Sequence, residues 1–102
     1  MNHKINFKFT IITPTYNRAN LLRRIFNSLQ GQQEYIAEWI VIDDGSKDQT
    51  DDLIQNFKKE SLFKIVYEYS INRGMTHAIN LGLKYVNGDY FMKIDSDDYL
   101  VD

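Results

Sequence analysis

Trp39-Ile40-Val41-Ile42 is apolar at every position, and Asp43-Asp44-Gly45-Ser46 follows at once. A strand with one face in water alternates apolar and polar residues. A strand that does not alternate is covered on both faces, as the central strands of parallel sheets are. The abrupt change to Asp, Gly and Ser marks the end of the strand and the start of a turn.

The segments on either side repeat a rhythm of strands and helices. Upstream, residues 1–8 form a polar, irregular lead-in, and Phe9-Thr10-Ile11-Ile12-Thr13 is a β-branched run stopped by Pro14, read as the first strand. Asn20 suits the N-cap of a helix whose apolar residues Leu21, Leu22, Ile25, Phe26 and Leu29 recur until Gly31. Downstream, Asp48 or Thr50 can cap a second helix with an apolar stripe of Leu53, Ile54 and Phe57. Residues 63–69 alternate, which suits a half-solvated edge strand. A third helix is expected from about residue 75 to 86, with Ala78 and Gly82 giving it a small-residue face for close approach to a sheet. A last strand, Tyr90-Phe91-Met92, runs into Lys93-Ile94-Asp95-Ser96-Asp97-Asp98.

This is β-α-β-α-β-α-β, with crossovers long enough for the helix that a parallel connection needs. Right-handed crossovers then predict an α/β fold with a doubly wound, mostly parallel sheet. A buried second strand and an edge-like third favour the order 3-2-1-4. That order reverses between strands 1 and 4, and ligands of open α/β sheets bind at such a switch, outside the carboxyl ends of the strands. Pro14-Thr15-Tyr16-Asn17, Asp43-Asp44-Gly45-Ser46 and Asp95-Ser96-Asp97-Asp98 all fall on that rim.

Composition narrows the function. At 102 residues the chain is one domain, and its 43% hydrophobic and 25% charged residues exclude general disorder. The absence of Cys removes disulfides and thiolate chemistry and agrees with a reducing compartment. No apolar run of membrane-spanning length and no signal peptide is present, so a cytoplasmic protein is expected. With a net charge of −2 and no basic run, nucleic acid is not an expected partner. Of ten Asp residues, five lie at 43–52 and four at 95–102, each group after an apolar run. Carboxylates so close repel one another unless they are solvated or share a cation, and hard divalent cations prefer such oxygens. A phosphate ligand would need that cation to reverse the local charge. An EF-hand is excluded, because position 6 counted from Asp95 is Leu100, where Gly is required.

Taken singly, the rim residues have two readings each. Tyr16 can stack on a base or sugar, or be a half-buried Tyr. Asp44 can accept hydrogen bonds from a base or ribose, or simply form the turn before Gly45. Asn72-Arg73-Gly74 can meet a diphosphate at a helix start, or be a turn with a solvated Arg. Asp-x-Asp can hold a cation, or be a polar turn after a strand. His3 and His77 have no catalytic company, and Ser96 has no partner base, so a nucleophilic triad is not expected. Neither GxGxxG nor a Walker loop occurs.

Taken together they are more specific. Thr13-Pro14-Thr15-Tyr16-Asn17-Arg18, Val41-Ile42-Asp43-Asp44-Gly45-Ser46, Asn72-Arg73-Gly74 with Ala78-x-Asn80-x-Gly82, and Asp95-x-Asp97-Asp98 occur in this order. The set resembles the nucleotide-sugar-binding half of family 2 glycosyltransferases, over residues 9–102. The resemblance implies the Rossmann-like half of a GT-A fold. It implies that Pro14, Thr15 and Tyr16 line a base pocket, that Asp44 contacts the base, and that Arg73 lies near the phosphates. Asp95 would stand near the ribose and the metal, and Asp97 would bind Mg²⁺ or Mn²⁺. The donor would be a nucleotide sugar, a UDP-sugar first, and the acceptor a saccharide or lipid-linked hydroxyl in polysaccharide or glycan synthesis. The full-length enzyme would work in the cytoplasm or at the inner face of the membrane.

Family members continue well beyond Asp-x-Asp with an acceptor-binding half that supplies the general base. No catalytic base is found in this chain, so it is expected to be incomplete and inactive alone, and to self-associate through an open last strand. The alternative is a non-catalytic nucleotide-binding or interaction module derived from the same fold. A nucleotidyltransferase would need a Gly-rich basic loop after strand 1, and a phospho-receiver would need an acid pair there. Neither is present.

Overall fold

The computed structural model describes residues 8–71 and 74–95. Its elements run β1 (Phe9–Thr15), α1 (Ala19–Gln30), a 3₁₀ turn at Gln33–Tyr35, β2 (Ile36–Asp43), α2 (Thr50–Glu60), β3 (Lys64–Tyr69), α3 (Met75–Leu83) and β4 (Tyr90–Lys93). The strands form one sheet in the order β3-β2-β1-β4, and every pairing is parallel. This is the predicted α/β topology. Among the described residues, no helix is long and apolar enough to cross a membrane.

The two faces of the sheet are filled by different helices. Ile11, Trp39, Val41 and Ile65 pack with Leu22, Ile25, Phe26 and Leu29 of α1 and Ile54 and Phe57 of α2. Ile12, Ile40 and Ile42 face the other way, toward Ala78 of α3. Right-handed crossovers produce this division: β1 to β3 advances in one direction with α1 and α2 on one side, and the return to β4 carries α3 across the other. The α1–α2 face holds an aromatic stack, with Phe26 4.3 Å from Phe57 and 6.2 Å from Trp39 between ring centroids. The Trp39 indole N–H donates to Thr13 Oγ1 at 2.9 Å, so the ring's polar atom is not stranded in the core. On the α3 face, a Cβ on Gly82 would stand 2.8 Å from Ile12 Cγ2, so the small residue is what lets α3 lie against β1.

Several boundaries differ from the sequence reading. Pro14 does not stop β1; the strand continues to Thr15. The Ile12 carbonyl accepts from Ile94 on the β4 side, and the Thr15 carbonyl accepts from Asp44 on the β2 side. Backbone groups alternate sides along a strand, so Pro14 turns its missing N–H toward β4, one step after that pairing ends at Ile12–Lys93. Helix α1 begins at Ala19 with Arg18 at the cap position, so Asn20 lies inside the first turn and is not the cap. The acceptor comes from afar, as Ala19 N–H donates to Asp48 Oδ2. Helix α3 ends at Leu83, because Lys84, Tyr85 and Val86 donate to carbonyls three residues back and tighten into a 3₁₀ tail. Tyr85 and Val86 still pack on the α3-side cluster, which is why their spacing looks helical.

β4 is the least covered strand. Tyr90, Phe91 and Met92 are 56%, 53% and 40% exposed, and only Ile94, just past the strand, is buried.

Candidate functional site

Parallel strands end on one rim, and here the rim loops are tied to one another. Asn17 takes a left-handed conformation at φ 51°, which Asn tolerates better than most residues. Its N–H donates to Ser46 Oγ at 2.8 Å, and its own Oδ1 accepts from Lys47 N–H at 2.8 Å. This reciprocal pair joins the loop after β1 to the loop after β2. Asp43 is 1% exposed and braces the second loop from below. Its Oδ1 accepts from Ser46 N–H at 2.8 Å and its Oδ2 from the Tyr67 hydroxyl at 2.6 Å. Burial and the hydrogen bond to Asp43 push the Tyr67 phenol well above its ordinary range, so it remains a donor. Asp48 adds a third tie. Its Oδ1 accepts from Thr50 N–H and Oγ1 while its Oδ2 accepts from α1. Partial burial opposes ionisation, but the bonds from Thr50 and Ala19 outweigh it and hold the carboxyl below the usual value.

The expected site residues fall on this frame as follows. Pro14 and Thr15 are the buried last residues of β1, and Tyr16 projects beyond them, 48% exposed. Asp44 N–H donates to the Thr15 carbonyl at 2.9 Å, which sets the second loop beside the first. Asp44 Oδ2 accepts from Gly74 N–H at 3.1 Å, so this carboxylate also holds the start of α3. Asp95 stands two residues beyond β4, in the crevice between β1 and β4, with Ile94 N–H bonded to the Ile12 carbonyl at 3.0 Å. Arg73, Asp97 and Asp98 lie outside the described residues. Asp43, Ser46, Tyr67 and Asp48 carry the frame, and only partner geometry, not residue type, distinguishes them from ordinary turn residues.

Two buried oxygens at the switch point, Thr15 Oγ1 and Asp95 Oδ1, have no hydrogen-bond partner among the described residues. Asp95 Oδ1 does lie 3.2 Å from Lys93 Nζ, as an ion pair without hydrogen-bond alignment. Both side chains of that pair are more than a third exposed, which makes it weak and easily displaced. The end of β1 thus offers an unsatisfied hydroxyl and the residue after Ile94 a weakly paired carboxylate, groups that suit a polar ligand and a cation respectively. Among the described residues, no three His, Asp or Glu side chains gather as a complete cation site. A cavity of about 350 Å³ lies elsewhere, between Asn20 and Arg23 of α1 and Gln49, Asp52 and Asn56 beside and within α2; it contains none of the expected site residues.

The family model for glycosyl transferase family 2 matches residues 10–102. The chain belongs to this family. Its relatives include the glycosyltransferase GlyA of Streptococcus pneumoniae serotype 4, 34% identical over 94% of this chain and 14% of that protein. Another is the poly(ribitol-phosphate) β-N-acetylglucosaminyltransferase TarS of Staphylococcus aureus, 32% identical over 91% of this chain and 17% of TarS. Among solved structures, the mannosyltransferase PcManGT of Pyrobaculum calidifontis, in complex with GDP-Man and Mn²⁺, superposes with a TM-score of 0.80 at 26% identity. That match covers 91% of this chain and 28% of PcManGT. TarS 1–349 in complex with UDP gives a TM-score of 0.78 at 31% identity, covering 90% of this chain and 28% of that one. The fold is therefore the Rossmann-like part of GT-A. The chain spans 13% to 31% of the length of eight of the curated relatives it matches.

Proposed function

We propose that this chain is the donor-binding part of a glycosyltransferase that takes a nucleoside diphosphate sugar, a UDP-sugar first, together with Mn²⁺ or Mg²⁺. The observation that carries the reading is the Asp95 carboxylate, placed just past β4 where strand order reverses and held, among the described residues, only by a solvent-exposed ion pair with Lys93. Pro14, Thr15 and Tyr16 would line the base pocket, Asp44 would contact the base, and Arg73 would meet the diphosphate. Asp95 and Asp97 would hold the cation. When bound, the cation supplies Lewis-acid neutralisation of charge on the departing diphosphate. Similar proteins with GDP-Man and Mn²⁺, or with UDP, support the ligand class. The complete enzyme would pass the sugar to a saccharide or lipid-linked hydroxyl on the cytoplasmic side.

Calorimetry tests this directly. UDP binds in Mn²⁺, GDP binds more weakly, and UDP binding is lost in EDTA, because the acidic rim repels a bare diphosphate. Asp97→Asn weakens Mn²⁺-dependent binding about tenfold, the size of one lost charge-assisted contact. Equal UDP affinity in EDTA and in Mn²⁺ would remove the cation from the proposal.

We also propose that the 102-residue chain alone self-associates along β4. Among the described residues this strand leaves one edge unpaired, carries Tyr90, Phe91 and Met92 in solvent, and has only Lys93 as a charged deterrent. Light scattering at micromolar concentration should report a mass above the 12.1 kDa of one chain. A monomer at high concentration refutes it.

A further inference from the structure

A four-residue strand exposed on both faces has little to hold it in register, yet Asp95 stands two residues past such a strand. The hold comes from the opposite end, where the turn out of α3 meets the start of β4. Four consecutive amides in that turn are taken by β2, β1 and Lys8 just before β1. Asn87 N–H donates to Glu38 Oε2, Gly88 N–H to Thr10 Oγ1 at 2.8 Å, and those of Asp89 and Tyr90 to the Lys8 carbonyl. A Cβ on Gly88 would stand 2.7 Å from Thr10 N and 2.9 Å from Lys8 O, both backbone atoms, so the turn lies flush against β1.

Glu38 is the centre of this contact and is 1% exposed. It receives the Thr10 hydroxyl at 2.8 Å, Asn87 N–H, and the Asn87 side-chain amide at 3.2 Å. A carboxylate is costly to bury and persists only where several donors converge on it. An apolar side chain would fill the space but leave the turn's amides without acceptors. Because the Thr10 proton is committed to Glu38, Thr10 Oγ1 is left to accept from Gly88. A bulge in β2 allows this arrangement. Phe9 pairs with Ile36 but Thr10 pairs with Glu38, so Ile36 joins the α1–α2 cluster while Glu38 stays in phase with Ile40 and Ile42 on the α3 face.

We infer that Glu38 is a positioning residue for the donor site: by anchoring the turn between α3 and β4 it sets the register of β4, and so the place of Asp95. This rests on the reading of Asp95 as a ligand of the cation and nucleotide sugar. A one-residue slip of β4 would turn its side chains to opposite faces and move Asp95 by about 3.3 Å along the strand.

The test compares Glu38→Leu, Glu38→Gln and Thr10→Val in the 102-residue chain, reading amide hydrogen exchange strand by strand and UDP affinity in Mn²⁺. Glu38→Leu should lower β4 protection and UDP affinity tenfold or more, with protection in β2 and β3 retained. Glu38→Gln keeps a carbonyl oxygen for Asn87 N–H and should stay within threefold of the parent. Parent-like affinity in Glu38→Leu overturns the inference, as does a loss of protection spread equally over all strands. Should Glu38→Leu fail to fold, Thr10→Val decides by the same two readings, since it removes the relay without changing shape. If the parent itself shows no Mn²⁺-dependent UDP binding, the donor-site reading fails, and β4 exchange alone decides whether Glu38 holds the strand.

Discussion

Phe26→Ala lowers the unfolding free energy by about 3–5 kcal/mol, the usual cost of emptying an aromatic site in a packed core. Phe26 is 2% exposed and lies at the centre of the aromatic stack, with Phe57 at 4.3 Å and Trp39 and Phe63 each at 6.2 Å. Three rings lose a neighbour at once, and none can close the gap without leaving its own contacts. Domains of this size are stable by about 5–15 kcal/mol in total, so the substitution removes at least about a fifth of a typical reserve. Urea unfolding followed by the fluorescence of Trp39 measures it. A cost below about 1 kcal/mol would mean that the stack is not the centre of the core.

Asp43→Ala has the second largest effect, and it reaches both stability and the rim. Removing the buried carboxylate strands Ser46 N–H and the Tyr67 hydroxyl, each at about 1–3 kcal/mol, so about 3 kcal/mol in all is expected. Tyr67→Phe removes one donor to a carboxylate that keeps its other bond, and costs about 1 kcal/mol. A spectroscopic signature separates the cause from general loosening. Asp43 raises the Tyr67 phenol together with burial, so in Asp43→Ala the ultraviolet titration of Tyr67 moves down toward the ordinary tyrosine range. An unchanged titration would show that burial alone sets it. Ser46, released from Asp43, also loses its hold on Asn17, and UDP affinity should fall with it.

Much of the fold was legible because burial writes itself into hydrophobic pattern. The non-alternating Trp39–Ile42 run and the alternating residues 63–69 assigned the central and edge strands, and order followed from crossover handedness. Ala78 and Gly82 were legible for the same reason, since close approach demands small residues. The misplaced boundaries have local causes. Pro14 reads as a stop because the sequence does not tell which side of a strand its missing N–H faces. Asn20 looks like a cap because caps are usually local, whereas Asp48 supplies the acceptor from 29 residues away. Glu38 carries no such signal in the sequence. A charged residue before an apolar run looks like the strand's solvated start, and only the partners Thr10 and Asn87, brought from distant segments, make it a buried acceptor. The rim motifs were visible as a set, but that Asp43 braces the loop while Asp44 holds α3 depends on tertiary contacts.

The position of β1 in the middle of the sheet has a consequence for the chain as it is made. β1 is synthesised first, and its partners on the β2 side follow soon after. Its other edge waits for β4, whose leading turn bonds Lys8 across 81 residues. At synthesis rates of about 5–20 residues per second, that edge stays unpaired for roughly 4–16 s. During this interval the nascent chain presents Phe9, Ile11 and Ile12 beside open backbone groups, the surface that chaperones bind and that aggregation exploits. Folding of this domain on the ribosome therefore closes on the β4 side, where the donor site is proposed, and that side is the last to become safe.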